Sequence, residues 1–182
     1  MIRDAAIADL PAVAALYGHE VVGGTASFEM DPPSLAEMTR RFEAVRQHEL
    51  PWLVAEIDGR FAGYAYLSPF RPRPAYRYGV EGSIYVDDAA RGRGVGRALL
   101  TALIERARAM GLRHIMGAIS DSTTSEASIR LHHALGFRDA GVYRQVGWKF
   151  DRWLDVTLMQ LDLSPDGDPP RTAGLDLTGG LA

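Results

Sequence analysis

The run Arg91-Gly92-Arg93-Gly94-Val95-Gly96 lies between a strand-like segment, Val80 to Val86, and the clearest helical segment of the chain, Gly94 to Met110. That placement limits the fold, because a strand must deliver the chain to a glycine-rich turn and a helix must start directly from it. Glycine accepts positive φ and lets another group approach the backbone closely. The first turn of a helix has unpaired N–H donors and the positive end of the macrodipole. Arg91, Arg93 and Arg97 add charge, so the loop has what a phosphate or pyrophosphate site requires. The same run is also what a simple turn at a helix start looks like, and context has to separate the two. A Walker A loop needs Gly-Lys-Ser/Thr where Gly96-Arg97-Ala98 stands. A dinucleotide fingerprint needs G-x-G-x-x-G, whereas Gly92, Gly94 and Gly96 alternate.

The rest of the chain supplies elements for both faces of a sheet. Asp9 precedes a helical stretch, Ala12 to Tyr17, as its N-cap. A second helix is predicted over Ser34 to Glu49, where Leu35, Met38, Phe42 and Val45 recur at helical spacing after Pro32-Pro33. Trp52 to Ile57 and Phe61 to Leu67 read as strands around Asp58-Gly59, a favoured type I′ hairpin dipeptide. Phe70 to Tyr78 is a loop punctuated by Pro72 and Pro74. The Gly94 to Met110 helix places Leu99, Leu100, Leu103, Ile104 and Ala107 on one face, and Gly111 caps its end. His114 to Ile119 is a short strand, and Ser128 to Leu135 a helix closed by Gly136. Val142 to Val146 and Trp153 to Leu163 are two further strands. This order predicts an α/β (α+β) sandwich: a central mixed, mostly antiparallel sheet of about six to seven strands flanked by about four helices. One domain is expected over residues 1–163, and the Pro-, Gly- and Asp-rich residues 164–182 are expected to form a disordered tail.

Composition removes several functions. Without cysteine there is no disulfide, no Cys-ligated zinc and no thiol nucleophile. A net charge of -3 argues against a general nucleic-acid binder, which needs a basic face. No apolar run approaches the roughly 20 residues of a membrane span, and Met1 to Ala5 lacks the apolar core of a secretory signal. The expectation is a cytoplasmic protein with no nucleic-acid or membrane partner. His132 and His133 are adjacent and therefore on different helix faces, so no metal site is implied.

The strand, the Arg91 to Gly96 loop and the helix together resemble motif A of the GNAT superfamily of N-acetyltransferases, Q/R-x-x-G-x-G/A. Segments Pro51 to Glu56, Tyr76 to Val86, Ala127 to His132, Ala134 to Phe137 and Val146 to Asp155 are similar to its phosphinothricin and methionine sulfoximine acetyltransferase branch. The resemblance covers residues 1–163 and implies a GNAT fold, acetyl-CoA as co-substrate, a small-molecule amine as acceptor and a homodimer. By resemblance, the backbone of Arg91, Gly92, Arg93, Gly94, Val95, Gly96 and Arg97 holds the coenzyme A pyrophosphate. The strand before it splays from its neighbour, so Ile84, Tyr85 and Val86 offer main-chain contacts to the pantetheine and acetyl units.

Acetyl transfer needs an uncharged amine, hence a general base. Glu81, on the strand leading to the loop, stands where the branch places its proposed base. His132 occupies the place of a tyrosine that many members carry as an acid; a plain helix histidine is the competing reading. Ser125 stands in place of an asparagine that contacts the cofactor in relatives, within a run about two residues longer than the branch norm. Phe28 and the loop Phe70-Arg71-Pro72-Arg73 match segments bordering the acceptor, and Arg71, then Arg73, is the candidate for pairing with a carboxylate. Protein or peptide N-terminal acetylation, and a non-catalytic acyl-CoA-binding module, remain as alternatives.

Overall fold

A computed structural model describes residues 1–121, 125–164, 170 and 172–178. Ser122, Thr123 and Thr124, from the lengthened run, lie outside the described residues. The chain forms β1 (Ile2–Asp4), α1 (Leu10–Gly23), α2 (Leu35–Gln47), β2 (Trp52–Ile57), β3 (Arg60–Pro69) and β4 (Gly79–Val86). It continues with α3 (Val95–Ala109), β5 (His114–Ser120), α4 (Glu126–Ala134), β6 (Arg138–Lys149) and β7 (Arg152–Asp162). The strands make one sheet in the order β1-β2-β3-β4-β5-β7-β6. Among the described residues, only the β4–β5 pair is parallel. The expected mostly antiparallel α/β architecture is what the protein adopts.

Strand register decides which side chains meet. Trp52 pairs with Tyr66, Tyr66 with Ser83, Tyr64 with Tyr85 and Ser68 with Glu81. Side chains alternate across a strand, so Trp52, Tyr64, Tyr66, Glu81, Ser83 and Tyr85 share one face, under α1 and α2. An aromatic stack fills that face, with Trp52–Tyr66 centroids 4.3 Å apart and Tyr64–Tyr85 5.0 Å apart. Tyr17 of α1 sets its ring edge against Tyr85 at 5.2 Å. Each such contact adds about 0.5–1.5 kcal/mol beyond simple burial. The opposite face carries Ala65, Leu67 and Val80 under α3, whose Leu99, Leu100 and Leu103 are fully buried. The apolar stripe read from the sequence of α3 is therefore its core face.

Several local expectations are corrected. Asp9 does not cap α1: its φ of -83° and ψ of -20° are already helical. Its carboxylate accepts from the Ala6 N–H at 2.8 Å and from Arg3 at 2.7 Å instead, tying β1 to the chain before α1. With Leu10 as first residue, α1 continues to Gly23, well beyond Tyr17. Ser34 does cap α2, accepting from the Glu37 N–H at 3.2 Å. Asp58 and Gly59 take φ of 52° and 72°, the positive values a type I′ turn needs. The loop after β3 contains a short 3-10 turn over Pro74–Tyr76, and β6 is far longer than Val142 to Val146. β1 leaves no sequence signal because three residues are too few for a period.

The expectation of a tail without fixed structure also needs correction for residues 172–178. Leu175 and Leu177 are buried, at 7% and 5% exposure, and join the main core. The Leu175 N–H donates to the Arg77 carbonyl at 2.8 Å, and the Tyr78 hydroxyl donates to the Thr172 carbonyl at 2.9 Å. Two leucines in a polar, proline-rich stretch carry too little periodicity to reveal this. A chain ending at Ser164 is expected to lose about 3 kcal/mol or more from the two leucines and to melt roughly 6–12 °C lower. Calorimetric scanning checks this, and an unchanged melting temperature would contradict the packing described.

Candidate active site

The sheet opens at one place. β4 pairs with β5 through Gly79–His114, Val80–Ile115 and Glu81–Met116, and the ladder then stops. Beyond Glu81, β4 stays paired with β3 as far as Val86, while β5 stays paired with β7 as far as Ser120. The two parallel strands therefore diverge, and the main-chain groups of Gly82–Val86 and Gly117–Ser120 that face the gap have no ladder partner across it. Buried backbone polar groups require partners. A wedge lined in this way suits a ligand that carries its own amides.

The glycine-rich loop closes the wide end. Gly92 and Gly94 have φ of 74° and 81°, and a Cβ on either would meet nothing within 4 Å. Glycine is thus required there for backbone conformation, and the space beside it is open. Gly94 is the residue from which α3 starts, and the first helical bond runs from the Ala98 N–H to the Gly94 carbonyl at 3.0 Å. The N–H groups of Val95, Gly96 and Arg97 precede any intrahelical acceptor. They converge with the macrodipole on the open space beside Gly94. Gly96 is close-packed instead: a Cβ there would lie 3.2 Å from Leu131 of α4 and 3.7 Å from Val86. The loop thus has the geometry of a pyrophosphate cradle, with Arg97 exposed in the first turn of α3 beside it.

Glu81 sits at the apex of the wedge, on the face beneath α1 and α2. Burial raises its carboxyl above the ordinary carboxylate range, and the nearby Arg71 charge partly offsets that rise. Arg71 stands on the loop after β3 with its guanidinium 5.0 Å over the Phe70 ring, and acts on Glu81 through its charge without an ion pair between them. Pro72 and Arg73 are exposed on the same loop, and Arg73 precedes the Pro74–Tyr76 turn. Next to Glu81 on the same face, Ser83 stands opposite Tyr66 in the β3–β4 register.

His132 lies on the opposite face, buried at 6% exposure and packed edge-on against Phe137 at 4.8 Å. Its Nδ1 is 2.8 Å from the Ser128 carbonyl. A carbonyl only accepts, so Nδ1 carries the proton. Burial pushes its pKa below the usual histidine value. The neutral ring presents Nε2 as an acceptor, 3.3 Å from where a Gly117 Cβ would stand. Gly117 leaves room for the ring at the open side of β5. Ser125 donates its hydroxyl to the Ser120 carbonyl at 2.7 Å, so that hydrogen is committed within the protein.

Phe28 lies in the segment between α1 and α2 and packs on β6, where a Cβ on Gly147 would run into its ring. That segment is held from several sides. The Tyr17 hydroxyl is 2.9 Å from Ser27 Oγ and donates to Glu29 at 2.8 Å. Arg41 pairs with Glu29 at 2.7 Å, and the Ser120 hydroxyl donates to the Thr25 carbonyl. Lys149, at 3% exposure, donates to the Ser27 carbonyl at 2.8 Å. None of Tyr17, Ser27, Glu29, Arg41 and Lys149 stands out in the sequence, because each is an ordinary polar residue until the segment is folded over β6.

Comparison with known proteins meets this geometry directly. The acetyltransferase (GNAT) family matches residues 23–137. The chain belongs to that family. It is 49% identical over 156 residues to a phosphinothricin N-acetyltransferase of Alcaligenes faecalis, covering 86% of this chain and 79% of that protein. It is 47% identical over 170 residues to an L-methionine sulfoximine/L-methionine sulfone acetyltransferase of Pseudomonas paraeruginosa, covering 93% and 98%. Among solved structures, a GNAT superfamily phosphinothricin acetyltransferase from Sinorhizobium meliloti in complex with AcCoA superposes with a TM-score of 0.92 at 40% identity, covering 98% of this chain and 96% of that one. A ribosomal-protein-alanine N-acetyltransferase from Brucella melitensis is also similar, with a TM-score of 0.85, 40% identity and coverage of 89% and 99%. As a GNAT enzyme, the chain is an N-acetyltransferase, and the wedge, the cradle and Glu81 are the parts of its candidate active site.

The electrostatics around Glu81 lead to a prediction that does not depend on the substrate. Arg71 favours the ionised form of Glu81, so Arg71→Ala should raise the Glu81 titration midpoint further. Carbon-detected NMR of the side-chain carboxyl reads this, and an unmoved midpoint would place the Arg71 charge elsewhere.

Proposed function

We propose that the protein transfers the acetyl group of acetyl-CoA to the amino group of a small amino acid-like acceptor, of the phosphinothricin or methionine sulfoximine/sulfone type. The observation that carries this reading is the divergence of β4 and β5 immediately after Glu81. It puts a partly desolvated carboxylate at the apex of a wedge whose wide end is a phosphate cradle. Acetyl-CoA supplies an acetyl thioester when bound, and the open space beside Gly92 and Gly94 fits its pyrophosphate.

The residues divide the work by position. N–H groups of Gly92 and of Gly94 through Arg97 bind the pyrophosphate, with the Arg93 and Arg97 side chains adding charge; the Arg93 N–H donates to the Ala90 carbonyl at 3.4 Å. Main-chain groups of Ile84, Tyr85 and Val86 orient the acyl arm and face the carbonyl oxygen on which charge develops. Glu81 takes the proton that the acceptor ammonium must lose before its nitrogen bonds to the acetyl carbon and the carbon–sulfur bond breaks. A carboxyl with a raised pKa is a better match for that proton than an ordinary one. Arg71, and Arg73 beyond it, pair with the acceptor carboxylate while Phe28 borders the acceptor. His132 holds its proton at Nδ1 and so accepts a hydrogen bond at Nε2; a general-acid role would need the charged ring that burial disfavours. Ser125, its hydroxyl hydrogen committed to Ser120, has lone pairs left for the ligand.

The similarity to named phosphinothricin and methionine sulfoximine acetyltransferases supports the small acceptor. The likeness to a ribosomal-protein-alanine acetyltransferase keeps a peptide amine as the second reading. We also take the protein to be a cytoplasmic homodimer without nucleic-acid or membrane partners. Exposed Val142, Tyr143, Val146, Trp148 and Trp153 on the outer hairpin support a protein contact there. Among the described residues no helix is long and apolar enough to cross a membrane.

Thiol release from acetyl-CoA, measured over phosphinothricin, methionine sulfoximine, methionine sulfone, ordinary amino acids and short peptides, tests the acceptor. Turnover on the amino acid-like set is expected, and turnover on peptides alone would overturn the assignment. Glu81→Gln should lower kcat by about 10²–10⁴-fold and leave the acetyl-CoA Kd unchanged. In the native enzyme kcat/KM rises with pH as Glu81 ionises. Arg71→Ala should move that rise to higher pH.

A further inference from the structure

Glu20 occupies a position that is unfavourable for a carboxylate in two respects. It is buried, at 8% exposure. It also lies in the last turn of α1, where the macrodipole is negative. Its Oε1 accepts from Arg91 Nη2 at 2.6 Å, across 71 residues of sequence. Gly24 makes the pose possible. A Cβ on Gly24 would collide with Glu20 Oε2, so any side chain there pushes the carboxylate away from Arg91.

Arg91 is in turn surrounded by acceptors. Beside Glu20, its Nη2 lies 2.9 Å from Asp88, and its Nε is 3.5 Å from the Val86 carbonyl. Asp88 also stands 3.3 Å from His19. Two carboxylates on one guanidinium leave the immediate surroundings of Arg91 with no net positive charge. Arg93 differs, with one exposed carboxylate at 3.9 Å, and Arg97 is exposed with no ion pair among the described residues.

We propose that Glu20 is a positioning residue of the donor site: it fixes Arg91 as a strut between α1 and the glycine-rich loop, leaving pyrophosphate charge to Arg97 and Arg93. This rests on the acetyl-CoA reading above and assigns Arg91 a role through its brace, not through charge on the phosphates. The strut joins the end of β4, at the Val86 carbonyl, to the end of α1. It therefore holds the loop amides at the wide end of the wedge.

Calorimetric titration with acetyl-CoA over a range of KCl concentrations separates charge from position, because screening weakens ionic contacts and not steric placement. Arg97→Gln should weaken binding and flatten its salt dependence. Arg91→Gln and Glu20→Gln should each weaken binding about tenfold with the native salt dependence kept. Gly24→Ala, which retains both charges, should lower the melting temperature and, at a temperature where it stays folded, weaken binding with the native salt dependence kept. If Arg91→Gln flattens the salt dependence as Arg97→Gln does, or if Glu20→Gln tightens binding by releasing Arg91, the proposal is overturned. Failure of the native protein to bind acetyl-CoA would instead overturn the reading on which it rests.

Discussion

Two parallel strands that share a ladder for three residues and then separate leave backbone donors and acceptors unmatched on both sides of the gap. In a sheet interior such groups cost free energy unless something pairs with them. The divergence of β4 from β5 is the constraint on which the rest of this structure depends. It leaves a gap lined by backbone groups, which suits a ligand whose arm carries its own amides. It also puts Glu81, the last β4 residue in the ladder, beside whatever enters. The elements around the gap are arranged to keep it open from both faces.

On one face, α3 packs along β3 and β4 and brings its N-terminus to the wide end, with Gly96 allowing Leu131 and Val86 to close behind it. α4 seats His132 against Gly117, where a larger residue would push the ring out. On the other face, the aromatic stack from Trp52 to Tyr85 gives β3 and β4 a rigid floor. The segment from Thr25 to Glu29 is tied across it to β5 and β6. Glu81 and the glycine-rich loop thus sit on packed elements, whereas Arg71 and Arg73 sit on a proline-braced loop. That division matches donor binding that is fixed by backbone and acceptor choice that is open to side-chain variation.

How far the sequence reveals this varies with the physics of each part. The cradle is legible because glycine at positive φ and a helix start leave a local signature, and Gly92 and Gly94 behave as that signature requires. The core face of α3 is legible from period alone. Glu81 is legible through its place before the loop, though its desolvation depends on α1 and α2 folding over it. The gap itself leaves no sequence signal, since pairing between β4 and β5 joins segments more than thirty residues apart. Glu20, Lys149 and Gly147 are invisible for the same reason. A carboxylate on a helix, a lysine on a strand and a glycine near a turn acquire meaning only against their distant partners. The tail misleads because two leucines among prolines and glycines carry no period, yet Leu175 and Leu177 complete the core.

If acetyl-CoA lies in the wedge, it satisfies the amides that the divergence of β4 and β5 leaves exposed. Amide hydrogen exchange, followed residue by residue with and without acetyl-CoA, measures this most directly. New protection is predicted to be confined to gap-facing amides of Gly82–Val86 and to the loop amides of Gly92 and Gly94 to Arg97, with β2 and β7 unchanged. Protection spread evenly over the sheet, or concentrated away from the wedge, would contradict it.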